Sequence, residues 1–207
     1  MATDVRIAQA IGTIGCAAAA GGIATLSIVS IPTLILPSRR PSSATLPAED
    51  IPGTPTTHLT HQWLYLYTRG SKLYPGISAV SSLANMYALW ALRDSPTPGP
   101  DVLGGSWSAC YLLAVGVTMG IAPFTLTVMK RVNGKLKAHA KRDDAALAEG
   151  TKGMVVSEQE KAKRAREDSE VPALLEHWSK LNLIRASFPL AGAVIGFYAA
   201  VNSWVLP

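Results

Sequence analysis

Two histidines, His58 and His61, stand three residues apart, and a third, His177, opens the stretch His177-Trp178-Ser179-Lys180-Leu181-Asn182-Leu183-Ile184-Arg185. Imidazoles at that spacing could begin a metal site. Such sites need three or four ligands, and neither a Glu-x-x-His pattern nor a third ligand stands nearby. In the second stretch Trp178, Asn182 and Arg185 follow at i, i+4 and i+7. That spacing puts an indole, an amide and a guanidinium on one face of a helix. Asn85 and Asn133 are further polar singles, and Ser78, Ser81, Ser82, Thr118, Thr125 and Thr127 add hydroxyls. Most of the threonines can bond back to their own backbone, so Asn85 is the more pointed signal. Cys16 and Cys110 both lie inside apolar runs and read as small packing residues. There is no phosphate loop, dinucleotide fingerprint, haem-attachment Cys-x-x-Cys-His or Gly-x-Ser-x-Gly elbow.

What must position these side chains follows from where charge is missing. Only 16% of the residues are charged, and they avoid four runs: 7–38, 73–92, 102–129 and 186–207 hold no Asp, Glu, Lys, Arg or His. A helix needs roughly 20 apolar residues to cross the hydrocarbon core of a bilayer, and each run supplies at least 20. A soluble helical protein would carry charge every turn or two on its exposed faces. Membrane strands would alternate polar and apolar over only about ten residues. The expectation is therefore an all-α, four-helix transmembrane bundle forming a single domain over 1–207. Its helices are expected at about 8–36, 73–92, 103–129 and 173–205. The first run is too long for the apolar core of a cleaved signal peptide.

The connections differ in character. Residues 37–61, with Pro37, Pro41, Pro47, Pro52 and Pro55, read as an irregular Pro-rich loop. The aromatic stretch after it, Trp63 to Tyr67, suits a segment at headgroup level leading into the second helix. Residues 130–170 form a charged loop with eleven Lys/Arg and eight Asp/Glu, read as a solvated helical excursion. Pro172 suits the first turn of the last helix, and Pro123 is expected to kink the third. The segment 130–182 holds twelve of the 19 Lys/Arg. The loop before the second helix adds Arg39, Arg40, Arg69 and Lys72, against Arg6 and Arg93 on the other side. The positive-inside rule then makes both large loops cytoplasmic and puts both termini opposite. The net charge of +5 is a topology signal and gives no support to nucleic-acid binding.

That topology gathers His58, His61, Trp63, Tyr67, Tyr74, Asn133, His177, Trp178, Asn182 and Arg185 at the cytoplasmic end of the bundle. Arg185 stands where the chain enters the bilayer. It must either snorkel to lipid phosphate or pair inward. Asn182 needs hydrogen-bond partners across helices, because lipid offers none.

Three stretches carry a resemblance to a known family. They are Gln62-Trp63 through Gly70 to Pro75; Ala122-Pro123-Phe124-Thr125 through Met129 to Asn133 and Leu136; and His177 to Arg185. Over nearly its whole length the chain resembles the anthrone oxygenase-like membrane proteins of fungal polyketide pathways. The resemblance implies oxidation of an anthrone-type aromatic polyketide to a quinone by molecular oxygen, with no flavin, haem or metal. It also implies a site: His177 or His61 as base, with Arg185, Asn182 and Asn133 stabilising developing negative charge. Trp63, Tyr67, Tyr74, Asn85 and Trp178 would hold the planar rings. The implied setting is integral to the endoplasmic reticulum or a vesicle membrane of a fungal cell, with the lipid bilayer and a small aromatic molecule as partners. Oligomeric state is open. The residues alone leave room for a non-catalytic scaffold docking pathway enzymes, a small transporter, or a metal- or haem-dependent oxidoreductase using His58, His61 and His177.

Overall fold

The computed structural model describes residues 3–36, 55–94, 98–150 and 157–203. Among these residues every regular element is helical. Helix α1 spans Thr3–Ile35, α2 Thr56–Leu92, α3 Trp107–Thr127, α4 Lys130–Gly150 and α5 Glu158–Asn202. Three of them, α1, α3 and α5, are long and apolar enough to cross a membrane. The expected span at 73–92 lies within α2, whose stripe of Ser71, Lys72, Ser78, Ser81, Ser82 and Asn85 dilutes its apolar content. The Pro-rich loop falls largely on residues 37–54, outside the described residues.

Prolines shape the helices where they occur. In α1, Pro32 has no amide hydrogen to donate, and the turn before it widens into a π-helical turn over Leu26–Ser30. The Ile31 amide then donates to the Leu26 carbonyl, which strips the Ser27 carbonyl of its ordinary helical donor. In α3 the helix is interrupted at Gly120, three residues before Pro123. Pro172 sits in the first turn after Glu170, the residue dividing α5 into Glu158–Ser169 and Val171–Asn202.

Helix α2 starts at Thr56, well before the expected 73. At 37 residues it is about 55 Å long, nearly twice the hydrocarbon thickness. The segment expected to lie at the headgroups instead forms the first half of α2, continuous with the expected span. It has no helix breaker before Gly70, and Leu59, Thr60, Trp63 and Gly70 give it one buried face.

Helices α1, α2, α3 and the second stretch of α5 pack in a ring, α1 on α2 and α5, α3 on α2 and α5. Beyond one end of the ring, α4 continues outward against the start of α2, and the first stretch of α5 is tied to α4. Arg142 bonds Asp143 at 2.9 Å and Glu167 at 2.7 Å and also reaches Asp168, joining α4 to α5. Thr60 donates to Asp143 at 3.2 Å, joining α4 to α2. At the other end Gln9 donates to Tyr111 and Ser203, linking α1, α3 and the end of α5.

The ring is polar or small inside and greasy outside. Ser78, Ser81, Ser82, Asn85, Thr118 and Asn182 are buried, whereas Ile14, Leu83, Leu126 and Phe197 are more than half exposed. Such an apolar girdle is unusual for a monomer in water and points to membrane association. Close helix approach rests on small residues. At Gly192 an added Cβ would lie 2.0 Å from Thr118 Oγ1 and 3.1 Å from the Ala114 carbonyl, whereas at Gly21 it would meet nothing.

Gly192→Ala is therefore expected to destabilise the bundle by overpacking, by about 1–3 kcal/mol, and Gly21→Ala to be tolerated. Thermal unfolding of the detergent-solubilised variants checks this. Equal unfolding temperatures would refute the close α3–α5 contact.

Candidate active site

The end of the ring from which α4 extends is built on an apolar plug. Ile31, Leu59, Trp63, Met129, Val132, Leu136, Val171, Leu175 and Trp178 form one buried cluster drawn from α1, α2, the α3–α4 junction and α5. Within it Trp63 and Trp178 meet edge to face at 6.0 Å between centroids. Tyr67, one turn along α2, stacks on Trp63 at 5.1 Å. Edge-to-face and offset-stacked pairs suit the quadrupoles of aromatic rings, so the trio holds its own geometry. The Trp178 indole N–H donates to Asn133 Oδ1 at 2.9 Å, which fixes Trp178 against α4.

One turn further along α5, Asn182 is fully buried. Its amide nitrogen donates to the Ile23 carbonyl and to Ser27 Oγ, both at 3.0 Å. Ser179 Oγ donates to the Ser27 carbonyl at 2.8 Å, the acceptor that the π turn releases. The local disturbance caused by Pro32 thus supplies the grip by which α5 holds α1. On the partner side, Asn182 Oδ1 is buried without a hydrogen bond.

Arg185 completes the group. It is only 7% exposed, and its Nε is buried without a partner. Among the described residues no ion pair involves it. The groups acting on its charge are the phenols of Tyr67 and Tyr74. Tyr74 is seated by glycine: an added Cβ at Gly22 of α1 would lie 2.3 Å from its ring, and one at Gly70 3.3 Å. Below lies a further apolar layer of Ile23, Ile121 and Ala186, with Tyr74 and Phe188 against it. The ensemble is a buried cation within electrostatic reach of two phenols, near an aromatic trio, with Trp63 Nε1, Arg185 Nε and Asn182 Oδ1 all lacking partners among the described residues. Unpaired buried polar atoms of this kind are expensive unless a ligand meets them. The arrangement can receive a flat aromatic molecule and stabilise negative charge on its oxygen.

Trp63, Tyr67, Tyr74, Asn133, Trp178, Asn182 and Arg185 thus belong to one contiguous group. His177, Asn85 and His61 stand apart. His177 is exposed, turned about 100° around α5 from Trp178. Asn85 is fully buried about 16 Å along α2 from Tyr74, against Gly12 and Gly196. His61 is held at the rim, Nε2 to Asp144 at 2.8 Å and Nδ1 to the Thr57 carbonyl at 2.6 Å. Among the described residues no group of three or more His, Cys, Asp or Glu is placed to hold a metal ion. Lys137 is a member of the group that spacing did not reveal. Its ammonium lies 3.3 Å from Tyr67 Oη and 4.4 Å from the centre of that ring.

A family model described as anthrone oxygenase matches residues 63–195, the stretch holding every residue of the group. An anthrone oxygenase of Claviceps purpurea is 31% identical, covering 86% of this chain and 79% of that protein. Anthrone oxygenase encC of Aspergillus fumigatus is 28% identical, over 88% of this chain and 86% of its own. A noranthrone monooxygenase of Aspergillus flavus is 28% identical, over 85% of this chain and 65% of its own. No solved structure matches the chain.

The His61–Asp144 pair makes the rim pH-sensitive. The Asp144 carboxylate, followed by the Thr57 carbonyl, raises the pKa of His61 above 6.5. A raised pKa means the stabilisation is complete below about 6.5 and is lost as pH climbs through the higher folded value. Both partners are more than a third exposed, so the effect is small. Amide hydrogen exchange in α4 around Asp144 should quicken across that interval beyond the intrinsic base catalysis of exchange. The excess should vanish in Asp144→Asn, and an unchanged excess in that variant would remove the pair as its cause.

Proposed function

The chain belongs to the anthrone oxygenase family and is a monooxygenase-type enzyme; on that premise we propose that it oxidises an anthrone-type aromatic polyketide to the quinone at the Arg185 group. The observation that carries this reading is the buried Arg185, with no carboxylate partner among the described residues and its Nε unpaired. A cation in such surroundings is strongly disfavoured unless something supplies negative charge.

The chemistry suits those surroundings. The central methylene of an anthrone is doubly benzylic and lies opposite the ring carbonyl, so loss of its proton places negative charge on the carbonyl oxygen. The electron-rich enolate gives one electron to oxygen, and the carbon radical and superoxide recombine, taking up a proton, to a hydroperoxide. Loss of water then leaves the second carbonyl, so anthrone and O2 become quinone and H2O. No electron source beyond the substrate is required. The protein contributes stabilisation of the enolate oxygen, a seat for the rings, and exclusion of water. Arg185 Nε and Trp63 Nε1 are the donors left free for that oxygen. Asn133 and Asn182 act one step back, Asn133 by holding Trp178 and Asn182 by holding α5 on α1. With neither His61 nor His177 in the group, the enolate is favoured chiefly by where its charge lands, and proton removal requires only a weak base.

The same reading takes α1, the 73–92 part of α2, α3 and the second stretch of α5 as four membrane spans. The outer half of α2, with α4 and the start of α5, then stands on the cytoplasmic face. The basic residues of those segments support this sidedness, in the endoplasmic reticulum or a vesicle membrane of a fungal cell. A poorly soluble substrate would enter from the bilayer. Oxygen is the co-substrate, and no metal or organic cofactor takes part.

In chelator-treated protein, Arg185→Ala should lower turnover of an anthrone by about 10²-fold, the effect of removing a donor from developing charge. His177→Gln should stay within about threefold of the parent, as befits a residue outside the reacting group. Full activity in Arg185→Ala, or activity restored only by added metal, would defeat the proposal.

A further inference from the structure

Lys137 lies on the charged helix α4, yet its ammonium reaches the Tyr67 hydroxyl. The ammonium carries only donors, so in its 3.3 Å contact Tyr67 Oη is the acceptor. Arg185, whose charge lies within electrostatic reach of Tyr67, is also donor-only. Neither cation can take the Tyr67 proton, and among the described residues no acceptor for it is found. A phenol that accepts from a cation is a stronger donor through its own hydrogen, because hydrogen bonds in a chain polarise one another. Trp63 stacked at 5.1 Å holds the ring in place. Lys137 itself is held by α4, which Met129, Val132 and Leu136 fix in the apolar plug and Arg142 ties to α5.

We propose that Lys137 is a positioning residue for the oxidation: by donating to Tyr67 Oη it leaves the Tyr67 hydroxyl to donate to the substrate oxygen on which charge accumulates, beside Arg185. This rests on the reading of the Arg185 group given above. It makes Tyr67 a catalytic donor, and it makes a lysine outside the apolar runs part of the reaction. Other lysines of the same segment have different partners. Lys161 bonds Glu158 within its own helix and touches nothing near Tyr67.

The test is steady-state oxidation of 1,8-dihydroxyanthrone by full-length protein in detergent, followed by quinone absorbance. Tyr67→Phe should lower kcat by about 10²-fold as a lost charge-stabilising donor. Lys137→Gln should lower kcat by roughly tenfold, as for a partner that orients a functional group, with KM nearly unchanged. Lys137→Arg should restore most of the rate, and Lys161→Gln should match the parent. The deciding variant is the double one. In a Tyr67→Phe background Lys137→Gln should cost nothing further, because its effect passes through the hydroxyl already removed. An undiminished tenfold loss in that background, or no loss in Lys137→Gln alone, overturns the inference while slow Arg185→Ala keeps the underlying reading intact. If Arg185→Ala is as fast as the parent, the underlying reading fails instead. A drop in unfolding temperature for Lys137→Gln, with kcat unaltered, would assign the lysine a packing role and also overturn the proposal.

Discussion

A guanidinium buried inside the helical ring, with no carboxylate partner among the described residues, is the constraint around which this end of the molecule is arranged. Moving such a charge out of water is costly by several kcal/mol even after relaxation. Proteins usually answer with an acidic partner. Here the titratable groups in electrostatic reach are phenols, and an indole N–H of the same group has no partner among the described residues. Positive charge and two unpaired N–H donors, Arg185 Nε and Trp63 Nε1, thus outweigh the single unpaired acceptor, Asn182 Oδ1, and complement an enolate. Catalysis by differential binding needs that asymmetry: a neutral ground state satisfies it poorly and the charged intermediate well.

The asymmetry survives because the framework around it is over-determined. Pro32 forces the π turn, the π turn frees the Ser27 carbonyl, and Ser179 and Asn182 of α5 take hold of α1 there. That grip sets the height of Arg185 relative to Tyr74, whose ring has room only because Gly22 and Gly70 lack side chains. Outside, Trp178 is locked by Asn133, and the Arg142 network ties α4 to the start of α5. Each contact fixes one element against another, so no single loop carries the site.

Much of this could be read from residue types and spacing, and the failures have physical causes. The i, i+4, i+7 placement of Trp178, Asn182 and Arg185 identifies a single inward face, and charge-free runs locate the membrane-length segments. The histidines mislead because an imidazole is equally at home on a solvated face, and nothing local separates His177 from its neighbour Trp178. Asn85 was legible as buried, but its distance along α2 from Tyr74 depends on how far the helices slide past one another. The early start of α2 escapes a hydropathy reading because Thr56 to Lys72 is amphipathic and packs against α4. Lys137 escapes for the same reason. Its role depends on α4 folding back along α2, a contact between residues 70 apart in sequence.

The central claim is that the protein stabilises the anthrone enolate before oxygen is involved. Deuterium uptake at the substrate methylene, followed by NMR in heavy water with oxygen rigorously removed, isolates that step. The parent protein should speed exchange of the methylene hydrogens well beyond the buffer rate without forming quinone, and Arg185→Ala should lose most of that acceleration. Exchange no faster than in buffer, from protein that oxidises the same anthrone once air is admitted, would contradict the account.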